Sequence, residues 1–570
     1  MPQFLSRLRL FLLQRLQPGE QQMMLLLAAL VGVSGALATI GFRELLDLLG
    51  QLVFGRSDGL VNTARNLLWW QRLLAPAVGG VLAGLVLQRA RRYDAPNASR
   101  DYMEAVTLGD GQVAGRASLL RASSSALSVA SGASIGREAP MIQLAALTAS
   151  VLGRWRNLPR ARLRLLVACG AAAGISAAYN APIAGALFVA EIVLQSFAIE
   201  TLGPLIVASV VANLTAHNFL GYAPLYQMPA FDLHLGLDVI PFSLLGILAG
   251  LAAPAFLLLL QWAKKPGKWL AWPLWAQLGL GGLIVGAISV LEPGVWGNGY
   301  SVVNSILKGD WLWPALLLML VFKVFATAAA TGSGAVGGVF TPTLFVGAVL
   351  GALFGLGLHA LWPAAAPLPA YIAAGMGAFL SACAHAPLMS AVMIFEMTGN
   401  PRIIVPLLLV CVLSAGIKRL LWQPSLYSHS LPAARLGKGA GASVRSLLRS
   451  GSPTVQDSAS IAAAEEAFLS SRWQHIYVTN ADGIFLGALS LHDFTSVLRD
   501  AADSASTIPL ALLRRDYPRI TLASSLGEIF EAFSHHRGER LPVLDADGVL
   551  QGYVSKTDLM LVLQEEAAQS

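Results

Sequence analysis

The sequence predicts a polytopic α-helical membrane protein with two homologous halves, followed by a soluble α/β domain pair. Three observations support this fold class: a low share of charged residues, long apolar runs, and internal repeats in both parts of the chain. Hydrophobic residues make up 55% of the 570 residues and charged residues only 12%, whereas typical soluble domains carry about 25% charged residues. This composition indicates a chain that is largely embedded in lipid.

Several apolar runs hold at most one charged residue, and they include 25–40, 244–260, 315–330 and 403–417. A run of about 20 such residues is long enough to span the hydrocarbon core of a bilayer as a helix. A β-barrel would instead show short strands of alternating hydrophobicity. The net charge is +7, but the basic residues cluster between apolar runs, which favours contact with lipid headgroups over binding of nucleic acid. The three cysteines are scattered through apolar stretches and predict neither a disulfide framework nor a metal site.

The membrane part contains an internal repeat at a nearly constant spacing. Segments 131–140 and 334–342 match in their Gly and Pro positions at an offset of 202, and at this offset Arg121 falls opposite Lys323. Further on, Glu191 falls opposite Glu396 at an offset of 205. Repeated halves with interrupted helices are typical of ion-handling transporters. We therefore predict two homologous halves, at about 23–220 and 235–430.

A change of composition near 427–438 predicts a domain boundary at about 430–442. Beyond it, the segment from Tyr477 to Asp493 recurs 65 residues later, from Pro542 to Asp558. Each copy has the pattern of a strand, an Asp-Gly turn, a strand and a helix. The predicted domains are an amphipathic N-terminal helix (1–22), a pore domain (23–430), a linker (431–442) and two soluble domains (443–500 and 501–570).

An acid and a base lie inside an apolar stretch at Gly136-Arg137-Glu138-Ala139-Pro140. Ionisable residues at membrane depth are costly and usually functional. Pro140 suits the first turn of a helix, so we predict a break and a new helix that begins near Ala139. The exposed amides of a helix N-terminus attract an anion, and an ionised Glu138 can take the place of that anion until protonation releases it. The alternative is that Glu138 caps the helix and pairs with Arg137.

A second break is predicted at 337–342, and it carries no acid. It offers the backbone amides of Val339 and Phe340 to an anion. Backbone N–H groups stabilise a permeating halide without the deep trap of a full positive charge.

These residues resemble the ClC chloride channel and transporter family, and further segments resemble its bacterial ClcB-like branch. Gly-Arg-Glu-x-Pro, Gly-x-Phe-x-Pro and a late Tyr427 occur in the family's order, and the resemblance covers roughly residues 20–430. It implies two inverted halves, a homodimer with one pore per subunit, a bacterial inner membrane and cytoplasmic termini. It also implies that Glu138 is the gate and that chloride binds at Asn97, Gly136, Arg137, Val339, Phe340 and Tyr427.

Two positions depart from the family pattern. The family's first anion motif is usually Gly-Ser-Gly-Ile-Pro, but the family spacing falls on Asn97 here; Asn97 can donate through its amide, or Ser99 can substitute. Many exchangers of the family carry a proton-transfer glutamate directly after the acid that aligns with Glu191, where this chain has Ile192. Glu191 and its repeat mate Glu396 are therefore expected to stabilise the structure, with a proton-related role as the alternative.

Arg121 and Lys323 are predicted intramembrane cations. Two roles remain open for them. They can raise chloride occupancy through their long-range field, or they can pair with a carboxylate or a helix C-terminus.

The tail resembles a tandem of CBS domains, the Bateman module, over about 443–565. In that family, Gly-x-x-Ser-x-x-Asp repeats often bind adenine nucleotides, and Ser490, Asp493, Ser555 and Asp558 match that spacing. The alternative is a dimerisation module without a ligand, because a shared fold does not determine function.

The predicted function is chloride transport through a Glu-gated anion pathway, as a voltage- or pH-gated channel. A chloride/proton antiporter with the same gate is the alternative, and fluoride export is a remote third option. No enzyme is predicted, because no nucleophile–base pair, metal cluster or P-loop is recognisable. Chloride is the substrate, membrane lipids are partners, and no cofactor is required.

Overall fold

The computed structural model divides the chain into two compact units, Met1–Ser430 and Leu431–Ser570, here called the membrane unit and the tail unit. The structure describes residues 20–55, 59–93, 99, 101–107, 109–221, 224–229, 231, 236, 238–265, 272–309, 311–427, 444–471, 473, 475–491, 493–494, 507, 509–534, 538–556 and 558–559. Nearly all of the predicted N-terminal helix and the whole of the predicted linker lie outside these residues.

Over the residues that the structure describes, the secondary-structure elements of the membrane unit are all helices. Its helices, in chain order, are α1 (Glu20–Phe54), α2 (Leu60–Asn66), α3 (Trp69–Ala90), α4 (Tyr102–Thr107), α5 (Gly115–Ala130), α6 (Glu138–Trp155), α7 (Arg160–Tyr179), α8 (Pro182–Phe188), α9 (Ile199–Leu220), α10 (Val239–Ala263), α11 (Leu274–Leu291), α12 (Tyr300–Leu307), α13 (Trp313–Gly332), α14 (Phe340–Leu361), α15 (Leu368–Ala384), α16 (Pro387–Thr398) and α17 (Ile404–Leu421). A π-helical turn, Val189–Leu194, extends α8.

Within the described ranges, nine helices are long and apolar enough to cross a bilayer. Helices α7 and α15 are buried over most of their length and form the centre of the unit. Leu26, Leu30 and Leu52 of α1 are exposed, as expected for a surface that faces lipid. The predicted polytopic α-helical membrane fold is confirmed.

The two halves are inverted repeats, in which α3–α9 correspond in order to α11–α17. Their symmetry is visible where α3 packs on α11. The Cα of Gly80 lies against the carbonyl oxygen of Leu278, and 202 residues further on the Cα of Gly282 lies against the carbonyl oxygen of Pro76. Because Pro76 and Leu278 are also repeat mates, the contact is reciprocal, which is the pattern that a two-fold axis between inverted halves produces.

A second reciprocal contact joins α8 and α16. The carboxylate of Glu191 accepts hydrogen bonds from the N–H groups of Leu388 (3.3 Å) and Met389 (2.8 Å) at the start of α16. The carboxylate of Glu396 accepts hydrogen bonds from the N–H groups of Ile183 (2.9 Å) and Ala184 (2.8 Å) at the start of α8. Since the first N–H groups of a helix have no partner within it, each half supplies the acid that satisfies the helix start of the other.

The tail unit consists of two α/β copies. After a short helix α18 (Val444–Leu447), the first copy contains β1 (Thr454–Gln456), α19 (Ile461–Ser471), β2 (His475–Thr479) and β3 (Phe485–Ser490), and the second contains β4 (Ile520–Thr521), α20 (Leu526–Ser534), β5 (Arg540–Leu544) and β6 (Leu550–Ser555). In each copy the first two strands are parallel and the last two antiparallel. The predicted α/β fold with an Asp-Gly hairpin in each copy is confirmed.

The two copies of the tail are also related reciprocally. The N–H of Phe485 donates to the carbonyl of Gly548 (3.0 Å), and the N–H of Leu550 donates to the carbonyl of Gly483 (3.1 Å). The two donors, Phe485 and Leu550, are 65 residues apart in sequence, and so are the two acceptors, Gly483 and Gly548. The hairpin turns of the two copies therefore pair with each other about a local two-fold axis.

We predict that Gly282→Ala destabilises the membrane unit. A Cβ at this position would lie 2.6 Å from the carbonyl carbon of Pro76 and 3.0 Å from the Cα of Ala77, and overpacking of this kind costs about 1–3 kcal/mol. The midpoint of thermal unfolding in detergent measures the effect. Gly41→Ala is the matched control, because Gly41 is also helical and a Cβ there meets no atom within 4 Å; equal melting of both variants would contradict the packing argument.

We also predict that Glu191→Gln and Glu396→Gln each lower the melting midpoint, because an amide oxygen replaces a carboxylate at a helix start. Charge-assisted hydrogen bonds are roughly twice as strong as neutral ones, so the expected loss is about 1–2 kcal/mol. Glu200→Gln is the control, since Glu200 is an exposed acid in the first turn of α9. Wild-type melting of both test variants would argue against a structural role for these acids.

Candidate functional site

Two helix breaks meet inside the membrane unit. The N–H of Gly136 donates to the carbonyl of Gly338 (2.7 Å), and the N–H of Gly338 donates to the carbonyl of Gly136 (2.9 Å). The two glycines are repeat mates at the offset of 202, so the contact lies on the two-fold relation between the halves. Helix α6 begins at Glu138, one residue before the predicted start, and α14 begins at Phe340.

The carboxylate of Glu138 is folded back into this junction. Glu138 is 3% exposed, and its Oε1 accepts a hydrogen bond from the hydroxyl of Thr341 in the other half. Its Oε2 is buried without a hydrogen-bond partner and lies against the Cα atoms of Gly136 and Gly338, where a Cβ on Gly338 would be 2.7 Å away. The acid therefore fills a space between the two helix starts that exists only because both positions are glycine.

The first turns of α6 and α14 provide backbone donors beside this carboxylate. Val339 and Arg137 are the N-cap residues of α14 and α6, and the N–H groups that follow a cap have no partner within their own helix. The structure thus places Val339, Phe340 and Arg137 at the junction, where first-turn amides favour an anion. The N–H of Gly136, which the resemblance groups with the chloride ligands, donates to Gly338 instead.

A chain of aromatic rings connects the junction to Tyr427. The ring of Phe340 lies 4.9 Å from that of Tyr179 and 6.4 Å from that of Phe188, between ring centroids. Phe188 in turn contacts Tyr427 edge-on at 5.5 Å. Two residues that the sequence assigns to one chloride site, Phe340 and Tyr427, are therefore brought together by a third, which sequence reasoning did not identify.

Hydrogen bonds hold the segment that carries Tyr427 against α15 and α17. The N–H of Leu426 donates to the carbonyl of Cys383 (2.8 Å). Lys418, which is fully buried, donates to the carbonyl of Pro424, and its Nζ lies 2.7 Å from Nε2 of His385. These contacts hold the chain that leaves α17 against the core and so determine where Tyr427 lies.

The two predicted intramembrane cations have different surroundings. Lys323 is fully buried, donates to the carbonyls of Val295 (2.9 Å) and Gly297 (2.7 Å), and lies 5.6 Å from the ring centroid of Phe345. Its contacts are thus backbone carbonyls rather than a carboxylate. Arg121 lies on α5 and is only partly buried.

The first predicted chloride ligand, Asn97, lies outside the described residues. The alternative, Ser99, is described: its N–H donates to Gln112 (3.0 Å) and its carbonyl accepts from Ala114 (3.3 Å), while its hydroxyl oxygen lies against Gly109.

The predicted nucleotide residues of the tail lie beside arginines from the other copy. Arg514 donates to Asp493 at 3.0 and 3.2 Å, and Arg449 donates to Asp558 at 2.9 and 3.4 Å. The hydroxyl of Ser555 also donates to Asp558 (2.6 Å), whereas Ser490 is buried in β3. Since both arginines and both aspartates are spaced by 65 residues, the two sites are equivalent.

The Arg449 guanidinium holds the pKa of Asp558 below its ordinary value. The contribution of this pair to stability is therefore present above the ordinary aspartate pKa of about 3.9 and is lost as the pH falls through the lowered pKa. Because Arg449 is largely exposed, the contribution is small.

Sequence reasoning missed two polar residues of the junction. Thr341 occupies the unspecified position of Gly-x-Phe-x-Pro, where a pattern of Gly, Phe and Pro carries no information about it. Tyr179 is the last residue of α7 and is 1% exposed, and its hydroxyl is buried without a hydrogen-bond partner. Its burial is a property of the tertiary structure, so the sequence carries no signal for Tyr179. No group of three or more metal-ligating side chains occurs among the described residues.

Comparison with known proteins identifies the family. A family model described as "Voltage gated chloride channel" matches residues 79–419, and a CBS domain model matches residues 510–565. A ClcB-like chloride channel protein of Ralstonia nicotianae is 52% identical over 417 residues, which cover 72% of this chain and 97% of the relative. The voltage-gated ClC-type chloride channel ClcB of Escherichia coli is 43% identical over 413 residues, covering 71% of this chain and 97% of the relative.

Solved structures share the fold. A slow cyanobacterial Cl⁻/H⁺ antiporter superposes with a TM-score of 0.65 at 23% identity, over 73% of this chain and 98% of that one. Together with the inverted halves and the paired helix breaks, these matches show that the chain belongs to the voltage-gated chloride channel (ClC) family, in its ClcB-like branch, with a CBS domain in its tail unit.

Proposed function

We propose that this protein transports chloride across the bacterial inner membrane through an anion pathway gated by Glu138. The observation that carries the proposal is the position of the Glu138 carboxylate, which lies between two paired helix starts, against the Cα atoms of Gly136 and Gly338, and accepts a hydrogen bond from Thr341. A carboxylate oxygen occupies this space, and the space lies at the N-termini of α6 and α14, where helix starts favour an anion. The names of the relatives, which are chloride channels, indicate which anion it is.

In this mechanism the ionised carboxylate and chloride compete for the same donors. While Glu138 is ionised, it occupies the junction and blocks the path. When it takes up a proton, it loses its charge and leaves, and chloride enters beside the amides of Val339 and Phe340. The hydroxyls of Tyr179, whose ring contacts Phe340, and of Tyr427, whose ring contacts Phe188, supply further donors to the ion.

Passive conduction is the better supported form of transport. Ile192 lies next to Glu191, is 5% exposed, and has no group that can carry a proton inward. Both carboxylate oxygens of Glu191 already accept backbone hydrogen bonds. A channel opened by voltage or by pH needs no inner proton carrier, whereas a chloride/proton antiporter, the second candidate, needs another route such as water. Fluoride export remains a remote third option.

The family and the exposed apolar side chains also support a proposal about membrane contact, assembly and domain organisation. Exposed leucines on spanning helices support contact with membrane lipids, and we propose a homodimer with one pathway per subunit and cytoplasmic termini. We also keep the predicted domains: an N-terminal helix (1–22), a pore domain (23–430), a linker (431–442) and CBS domains at 443–500 and 501–570.

We further propose that the tail regulates transport by binding an adenine nucleotide at two equivalent sites. Each site pairs a carboxylate with a guanidinium: Asp558 with Arg449, and Asp493 with Arg514. Carboxylates accept hydrogen bonds from ribose hydroxyls, and arginine binds phosphate through its planar fork of donors. The ribose and the phosphates of a nucleotide therefore each have a candidate partner, with Ser555 bonded to Asp558 and Ser490 three residues before Asp493 in the first copy.

We predict that Glu138→Gln conducts chloride without pH dependence, because glutamine mimics the protonated gate. Purified protein in liposomes, with chloride efflux and proton movement recorded together at several pH values, provides the measurement. Wild-type flux should rise as the pH falls, and Glu200→Gln should behave like wild type because Glu200 is exposed.

Two results of that experiment would change the proposal. A Glu138→Gln variant that keeps the wild-type pH dependence would remove Glu138 as the gate. Proton uptake in a constant ratio to chloride efflux would replace the channel by the antiporter.

A separate prediction concerns the tail. The double variant Asp493→Asn and Asp558→Asn should weaken binding of ATP, ADP or AMP by about tenfold or more, because each substitution removes a charge-assisted hydrogen bond. Titration calorimetry on the full-length protein in detergent measures the affinity, and Asp547→Asn, an exposed aspartate of a hairpin turn, is the control. If the wild type shows no saturable binding of any of the three nucleotides, the tail functions without them.

A further inference from the structure

Thr341 is the second residue of α14, and it belongs to the half that does not carry the gate. It is 1% exposed, and its hydroxyl donates to Oε1 of Glu138. The bond therefore joins the start of α14 to the start of α6, across the junction formed by Gly136 and Gly338.

The position of Thr341 explains why its hydroxyl is available for this contact. Inside a helix, a threonine hydroxyl commonly bonds the carbonyl four residues earlier. Thr343 does so with Val339 (2.7 Å), and Thr398 does so with Ile394 (2.7 Å). For Thr341 the residue four positions earlier is Gly337, which lies two residues before the N-cap Val339 and therefore outside the helical turn, and the hydroxyl of Thr341 donates to Glu138 instead.

A hydrogen bond from a neutral hydroxyl to a carboxylate depends on the charge of the acceptor. Charge-assisted bonds are shorter and roughly twice as strong as neutral ones. The bond from Thr341 therefore stabilises the ionised Glu138 in its folded-back position more than it stabilises the protonated acid. The ring of Tyr179 lies 4.9 Å from that of Phe340, the residue before Thr341, between ring centroids, so a second hydroxyl-bearing side chain packs on the same helix start.

We propose that Thr341 is the latch of the gate: a positioning residue whose hydroxyl holds the ionised Glu138 carboxylate in the closed position and sets the pH at which the pathway opens. The inference rests on the proposed function, since it assumes that Glu138 gates the pathway. Because Thr341 belongs to the second half and Glu138 to the first, the pH at which the pathway opens then depends on residues of both halves.

The test compares the pH dependence of chloride efflux from liposomes for Thr341→Val, Thr341→Ala and Thr341→Ser. Loss of the hydroxyl in Val or Ala destabilises the closed, ionised state, so the half-activating pH should rise by about one to two units, and flux at neutral pH should increase. Serine keeps the hydroxyl and should restore the wild-type profile. Thr343→Val is the matched control. It removes a buried hydroxyl from the same helix turn, and that hydroxyl bonds only to a backbone carbonyl, that of Val339.

The double variant Glu138→Gln with Thr341→Val separates this inference from the proposed function. If Thr341 acts through the gate, its loss should change nothing further once Glu138 cannot ionise. A pH-independent Glu138→Gln combined with wild-type profiles for Thr341→Val and Thr341→Ala would overturn the latch while leaving the gate in place. A Glu138→Gln variant that keeps its pH dependence would overturn both, and an equal shift in Thr343→Val would show that any lost hydroxyl in this turn has the same effect.

Discussion

The antiparallel pairing of Gly136 with Gly338 is the contact on which the rest of the site depends. In a membrane, backbone groups that leave a helix must find partners within the protein, and the two breaks satisfy each other by exchanging two hydrogen bonds. The exchange brings the starts of α6 and α14 to one place. The absence of a Cβ on both residues then makes room for the carboxylate of Glu138.

Reciprocal contacts between the halves occur at two further places. Glu191 and Glu396 satisfy each other's helix starts, and the glycines of α3 and α11 contact backbone carbonyls of the opposite helix. Each contact exists twice, because one sequence pattern placed in two inverted copies meets itself across the two-fold axis. A small set of residue types therefore stabilises a large buried interface.

The two halves carry different residues at several matching positions. The first half pairs Asn213 with Asn180 at 2.8 Å, whereas the second half has Lys418 and His385 at the matching positions, and Lys418 also holds the segment that leads to Tyr427. The first break carries Glu138 and the second carries Phe340. The scaffold is thus nearly symmetric, but the acid that we propose as the gate comes from one half and its hydroxyl donor, Thr341, from the other.

The sequence by itself determined the membrane fold, the two halves, the positions of both helix breaks and the α/β tail, because hydrophobic run length, repeated Gly and Pro positions and hairpin signals are local properties of the chain. It also indicated Glu138, since an acid in an apolar stretch stands out without any coordinates. Only the tertiary structure decided which groups meet that acid. Thr341 lies 203 residues away, and Phe188 connects Phe340 with Tyr427 through contacts that no spacing predicts. The pairing of Asp558 with Arg449 in the tail has the same origin, because such contacts depend on how two copies pack about an axis, and a linear pattern does not encode that packing.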